Sequence, residues 1–91
     1  MNYDIRYTDE ALQVLEKYKK SNPIAYKKAM RLLDEITEHP REGSGHPEPL
    51  TGGNKIKYSR HISGKDRIIY NVYDDIVVVL IVSVGGHYSD K

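Results

Sequence analysis

The chain has 91 residues and a formal charge of +1, from 14 Lys and Arg against 13 Asp and Glu, so we expect one small domain spanning residues 1–91. It contains no cysteine, which excludes disulfides and thiolate metal sites. No signal-peptide pattern opens the chain, and its longest apolar run, residues 76–84, is too short for a membrane helix. We therefore expect a cytoplasmic protein without a membrane partner.

The first forty residues predict a strand followed by two helices. Residues 3–7 alternate in a strand pattern, and Thr8 is a suitable N-cap for a helix that ends near residue 20. Asn22 and Pro23 predict the start of a second helix, which ends at residues 39–40. Both helices carry an apolar stripe, so they need a surface to pack against.

The second half predicts a loop and three strands. Residues 40–54 are rich in proline and glycine, which is typical of a loop or of a loop with a short edge strand. Strand patterns follow at residues 55–62, 67–73 and 76–84, separated by tight turns. The expected fold is α+β in the order β-α-α-β-β-β, an antiparallel meander with two N-terminal helices packed on one face.

Charge is unevenly distributed along this chain. Residues 41–70 carry six basic side chains and three acidic ones, a net charge of +3. An anionic partner would therefore bind in this half of the protein.

A candidate general base lies in the sequence "HPEPL" (46–50). Glu48 stands between two prolines, which restrict the backbone around it, and a general base benefits from such fixed positioning. The alternative is an ordinary surface loop in which Glu48 only contributes solubility.

Two arginines on neighbouring strands form a candidate phosphate site. Arg60 and Arg67 flank the predicted hairpin, and forked guanidinium donors match phosphate oxygens. Arg60 has the same strand parity as the apolar Tyr58 and Ile62, so it must reach a groove, an edge or a partner. Alternatively, Arg60 pairs with a helix carboxylate and Arg67 caps the hairpin against Asp66.

The other face of the first of these strands offers Lys55, Lys57 and His61. These side chains could follow an RNA backbone, and an ordinary solvated strand face would carry the same pattern. The four histidines do not have the spacing of metal ligands, so we expect no metal and no cofactor.

The chain ends in "GGHYSDK", directly after its most apolar strand. A histidine side chain can protonate a leaving oxygen near neutral pH, which makes His87 a candidate general acid, and Gly85-Gly86 allow a sharp turn before it. A frayed terminal tail is the alternative.

The segments "EGSGHPEPL", "YSRHI", "DRIIYNVYDD" and the closing "HY" together resemble the YoeB branch of the RelE/ParE toxin superfamily. The resemblance covers nearly the whole chain and implies a RelE-like fold. It also implies a toxin of a type II toxin–antitoxin module that cleaves mRNA in the ribosomal A site without a metal. The implied partners are a YefM-type antitoxin, the ribosome and mRNA. A homodimer is also suggested, although no apolar patch in the sequence requires one.

The same resemblance implies a role for individual residues. Glu48 would be the general base, Arg67 would stabilise the phosphoryl charge with help from Arg60, and His87 would be the general acid. Tyr88 would orient the acid or the mRNA.

Three departures from the family pattern affect the basic surface and the terminus. Thr51 and His61 stand where many relatives have Lys and Arg, and Gly85-Gly86 replace bulkier residues. The alternative function is a non-catalytic or ParE-like relative that inhibits gyrase or the ribosome by binding. Glu48 together with His87 argues against that branch.

Overall fold

The structure is a computed structural model that describes residues 2–50 and 56–86. In chain order its elements are β1 (Asp4–Tyr7), α1 (Asp9–Ser21), α2 (Pro23–Glu38), β2 (Glu48–Pro49), β3 (Lys57–His61), β4 (Arg67–Tyr73) and β5 (Val78–Gly85). The predicted α+β class and element order are confirmed, with one short additional strand, β2. Within these described ranges no helix is both long and apolar enough to cross a membrane.

Both helices begin at the residues that the sequence predicts. The Thr8 side chain accepts a hydrogen bond from the Ala11 backbone N–H at 3.1 Å and caps α1. The Asn22 side chain caps α2 in the same way, by accepting from the Ala25 N–H at 3.3 Å, with Pro23 in the first turn. Asn22 lies between the two helices, so its cap marks the point where the chain turns from α1 into α2.

The sheet is mixed, because one parallel strand joins the predicted antiparallel meander. Its strand order is β1-β5-β4-β3-β2. The meander from β3 to β5 is antiparallel, as predicted, and β2 also pairs antiparallel with β3. The first strand, β1, instead lies parallel to β5, with Asp4 opposite Val78 and Tyr7 opposite Ile81. A parallel pair requires a long connection between its strands, and here the rest of the chain supplies it.

The last strand begins later than the sequence predicts. The apolar pattern starts at residue 76, whereas β5 starts at Val78, because residues 74–77 form a turn. In this turn the Val77 N–H donates to the Asp74 carbonyl at 3.3 Å, and Val77 has a positive φ of 54°. A β-branched residue with positive φ is strained, so the surrounding strands hold this turn in place.

The core lies between the two helices and one face of the sheet. The rings of Tyr58 and Tyr70 stack on that face with centroids 6.0 Å apart. Since side chains alternate along a strand, the residues between the core residues point to the opposite face. We call this opposite surface the distal face; from β2 to β4 it consists of Glu48, Lys57, Ser59, His61, Arg67, Ile69 and Asn71.

Candidate functional site

Glu48 lies on the edge strand β2, on the distal face of the sheet. Its Cα is paired with that of Ser59 in β3, and its side chain is exposed. The next residue, Pro49, is opposite Tyr58, and the Leu50 N–H donates to the Lys57 carbonyl at 2.9 Å. The proline-flanked segment therefore forms a short edge strand rather than a free loop, and this pairing fixes the backbone beneath the Glu48 carboxylate.

Arg67 begins β4 and lies on the same face as Glu48. Its Cα is paired with His61 on one side and with Gly85 on the other, and the residue is half-buried. Its pairing with His61 rather than a cap on Asp66 places Arg67 within the sheet. With strands about 4.8 Å apart and a rise of about 3.4 Å per residue, the Glu48 and Arg67 Cα atoms are roughly 12 Å apart. Two long side chains can close that distance around one phosphate group.

Lys57 and His61 border this pair at the two ends of β3. Lys57 is paired with Asn71 and His61 with Arg67, and both are half-buried on the distal face. The three basic side chains Lys57, His61 and Arg67 therefore share a surface with Glu48. Lys55, the remaining residue predicted on this surface, lies outside the described residues.

The predicted general acid His87 and its neighbour Tyr88 also lie outside the described residues. The structure does place the strand that precedes them: β5 ends at Gly85, next to Arg67. Gly85 has a φ of 127°, and a Cβ on Gly86 would lie 2.7 Å from the Asp66 Oδ1 atom. The two glycines thus allow a left-handed backbone and a close approach to the β3–β4 hairpin, which bulkier residues would not.

Arg60 does not lie on the distal face, which corrects its assignment to a phosphate site that binds the RNA substrate. It points into the core, as its strand parity indicates, and is completely buried (0% exposed). Each guanidinium nitrogen donates a hydrogen bond within the protein. The acceptors are the Tyr70 hydroxyl, the Glu35 carboxylate and the carbonyls of His39, Glu42 and Ser44. A guanidinium held in this way has no donor left for a phosphate, and the ion pair with a helix carboxylate, the alternative from the sequence, is what forms.

Glu35 on α2 is the ionic partner of Arg60, at 2.9 Å. Hydrogen bonds from the Ser44 backbone N–H (2.8 Å) and hydroxyl (2.9 Å) also reach this carboxylate. These groups, first the Ser44 N–H, then the Ser44 hydroxyl and the Arg60 charge, lower the pKa of Glu35. No sequence pattern points to Glu35, because its partner Ser44 lies in an irregular loop between α2 and β2.

Tyr70 completes the polar cluster beneath the sheet. Its hydroxyl accepts from Arg60 Nε at 3.1 Å and donates to the Pro40 carbonyl at 2.6 Å. Burial raises the pKa of this phenol, so it remains a neutral donor at physiological pH. Tyr70 is therefore a structural bridge to the loop after α2.

Glu48 and Arg67 place one carboxylate and one guanidinium on the same face of the sheet, and neither belongs to the buried polar cluster around Arg60. Among residues 2–50 and 56–86, no cluster of three or more His, Asp or Glu side chains could hold a metal ion. The chemistry that this surface can supply is proton abstraction by Glu48 and anion stabilisation by Arg67.

Comparison with known proteins gives a consistent family relationship. The model for "YoeB-like toxin of bacterial type II toxin-antitoxin system" matches residues 7–88. The toxin YoeB of Streptomyces coelicolor is 32% identical over 84 residues, which cover 92% of this chain and 98% of that protein.

Solved structures agree with this relationship. The YoeB dimer from Staphylococcus aureus is 28% identical with a TM-score of 0.81, and the match covers 97% of this chain and 100% of that one. The heterotetrameric YoeB–YefM toxin–antitoxin complex from the same organism is also 28% identical, with a TM-score of 0.79 and the same coverage.

Proposed function

The chain belongs to the YoeB-like toxins of bacterial type II toxin–antitoxin systems, and on this basis we propose that it is a ribosome-dependent mRNA endoribonuclease. It would cleave mRNA in the ribosomal A site and so inhibit translation. The observation that carries the proposal is the placement of the exposed Glu48 and the half-buried Arg67 on one face of the sheet, two strands apart.

The proposed reaction uses the 2′-hydroxyl of the mRNA and side chains of the toxin. Glu48 takes the proton from a ribose 2′-hydroxyl, and the resulting oxygen attacks the adjacent phosphorus. Arg67 stabilises the negative charge that grows on the phosphoryl oxygens. The bond to the 5′-oxygen then breaks, and His87 protonates this leaving oxygen while Tyr88 orients the acid or the mRNA. The products are a 2′,3′-cyclic phosphate and a 5′-hydroxyl.

Substrate binding is assigned to the basic side chains that border Glu48. Lys57 and His61 lie on the distal face with Arg67, and Lys55 adds to them in the sequence. Such groups contact the phosphate backbone and make binding dependent on salt. Since the nucleophile is the 2′-hydroxyl, DNA is not a substrate.

The partners follow from the relatives of the chain. The structure of a YoeB–YefM complex supports a YefM-type antitoxin as a partner for this toxin, and the structure of a YoeB dimer supports a homodimer. Since the proposed target is the translating ribosome, the site of action is the cytoplasm.

Primer extension on mRNA from translating ribosomes tests the proposal. Wild type should produce cuts within the A-site codon, and His87→Ala should not. The control is His39→Ala, which removes an exposed imidazole at the end of α2 and should cut as wild type does. Arrest of translation without any cut would mean that the protein inhibits by binding, and arrest of DNA replication instead would indicate a gyrase-directed toxin.

A further inference from the structure

We propose that Arg60 is a positioning residue for Glu48: its guanidinium shapes the segment 39–47, which we call the Glu48 loop, and thereby fixes the carboxylate on the distal face. The proposal rests on the proposed function for the role of Glu48. The structural half, that Arg60 orders this loop, can be tested separately.

The first step is that Arg60 acts on the loop backbone. Its Nη2 donates to the His39 carbonyl and, at 2.8 Å, to the Glu42 carbonyl; its Nη1 donates to the Ser44 carbonyl at 3.3 Å. These acceptors lie along the loop rather than in a regular element, so no ladder of backbone hydrogen bonds would replace them. Apolar side chains of similar volume can stabilise a core as well as a buried ion does, but they cannot bind these carbonyls.

The second step is that Glu35 and Tyr70 hold the same loop from either side of the guanidinium. The Glu35 carboxylate accepts from the Ser44 N–H and hydroxyl, and the Tyr70 hydroxyl donates to the Pro40 carbonyl. Both groups also bind Arg60. The loop is thus fixed near its start and its middle by one connected polar cluster.

The third step is that the glycines of the loop fit this cluster closely. Gly43 has a φ of 122°, and a Cβ there would lie 2.6 Å from Glu35 Oε1 and 3.2 Å from Arg60 Nη1. Gly45 has a φ of 81°, and its Cβ would lie 2.9 Å from the His61 carbonyl oxygen. The segment "EGSG" therefore matches the buried Arg60–Glu35 pair, which explains its composition without a contact to substrate.

The last step connects the loop to Glu48. The His61 N–H donates to the Gly45 carbonyl at 2.7 Å, and His46 then takes a positive φ of 54° before the chain enters β2. Pro47 restricts the remaining link. A shift at Ser44 is therefore transmitted over a few stiff residues to the carboxylate, and a displacement of about 1 Å at a catalytic group can cost roughly 100-fold in rate.

The experiment perturbs the Arg60–Glu35–Tyr70 cluster at two positions, Arg60 and Gly43, and each variant has a matched control. Arg60→Lys keeps the charge but loses the forked donors, and Gly43→Ala presses on Glu35 and on the edge of the guanidinium without changing the Arg60 or Glu48 residue. Arg31→Lys, on the exposed side of α2, and Gly64→Ala, where a Cβ meets nothing within 4 Å, are the controls. Hydrogen exchange is followed at amides of residues 41–46 and of β4, alongside single-turnover cleavage and ribosome affinity.

We expect both test variants to exchange faster in the Glu48 loop while β4 stays protected. Their cleavage rate should fall by about 10- to 100-fold, and their ribosome affinity should stay within about 2-fold because the distal-face cations are intact. The two controls should behave as wild type. A loss of affinity with an unchanged cleavage rate would instead mean that Arg60 serves substrate binding.

Other outcomes also decide the proposal. Unchanged loop exchange, or loss of protection throughout the sheet in both variants, would overturn it, since Arg60 would then order either nothing or the whole fold. If wild type does not cleave mRNA, the proposed function fails, and the exchange data still decide whether Arg60 orders the loop.

Discussion

Glu48 and Ser59 face each other across β2 and β3, and the first is exposed whereas the second is completely buried. The Glu48 carboxylate therefore projects from the edge strand β2, and its neighbour β3 is buried at Ser59. The Glu48 side chain is exposed, so its charge does not contribute to the packing of the core. Activity and folding should be separable at this position.

Glu48→Gln should abolish mRNA cleavage while leaving the protein folded. The amide has nearly the same shape as the carboxylate but cannot accept the 2′-hydroxyl proton, and loss of a general base typically costs about 100- to 10,000-fold. Because the side chain is exposed, the free energy of unfolding should change by no more than about 0.5 kcal/mol. Single-turnover cleavage and thermal denaturation measure the two effects, with Glu38→Gln on α2 as the exposed control. A variant that still arrests growth and cuts mRNA at the wild-type rate would remove Glu48 from the mechanism.

Ser59→Ala should leave the protein as stable as wild type or raise the free energy of unfolding by up to about 1 kcal/mol. The Ser59 hydroxyl is buried and has no hydrogen-bond partner among the described residues, so the folded state bears the cost of desolvating it. Alanine removes that cost and changes little in volume. Chemical denaturation compares the variants, and the contrast is Ser63→Ala, which removes a hydroxyl that accepts from the Asp66 N–H at 3.2 Å and should lower the free energy of unfolding. A clear destabilisation would show that the hydroxyl has a partner in solution.

Arg67→Lys should retain mRNA binding but lose most of the cleavage rate. Lysine keeps the positive charge beside His61 and Gly85 but cannot hold two phosphoryl oxygens through a planar fork. Loss of such a donor to a developing anion typically costs about 100- to 1,000-fold in rate. Single-turnover kinetics with ribosome-bound mRNA separate rate from affinity, and Arg6→Lys, an exposed arginine on β1, is the matched control. Loss of affinity with an unchanged cleavage rate would instead assign Arg67 to substrate binding alone.

The sequence was sufficient for the helices and for the strand parity of β3. Local signals carry both: Thr8 and Asn22 are caps that act within a few residues, and alternation in β3 places Arg60 on the core side. Pairing between distant segments was harder to predict. The parallel partner of β1 is β5, at the other end of the chain, and the two-residue β2 is too short to give a period.

The prediction for Arg60 shows the same limit at the level of one side chain. Its parity indicated a buried position, and an ion pair with a helix carboxylate was one of the alternatives. Its other acceptors are backbone carbonyls of an irregular loop, and such contacts cannot be predicted from residue type. Arg60 and Glu48 both belong to the motifs that carry the family resemblance, but they lie on opposite faces of the sheet. Only the structure shows that Arg60 is buried and Glu48 is exposed.

Stability in acid should depend on Glu35. Hydrogen bonds from Ser44 and the Arg60 charge lower the pKa of this carboxyl below its ordinary value of 4.5. The group therefore contributes stability that is fully present above about pH 4.5 and is lost as the pH falls through its lowered folded-state pKa. Glu35→Gln should be less stable than wild type by about 1–2 kcal/mol at pH 7, because Arg60 loses a charged acceptor that is itself partly solvated.

The difference in the free energy of unfolding between wild type and Glu35→Gln should shrink as the pH is lowered from 4.5. Protonation of Glu35 then removes from wild type the charge that the variant already lacks. Urea denaturation at pH 7, 5, 4 and 3 would measure it, and Glu38→Gln on the same helix controls for a general effect of charge. A difference that stays constant over this range would mean that the Glu35 charge does not stabilise the fold. In that case Arg60 would be held by the loop carbonyls and Tyr70 alone.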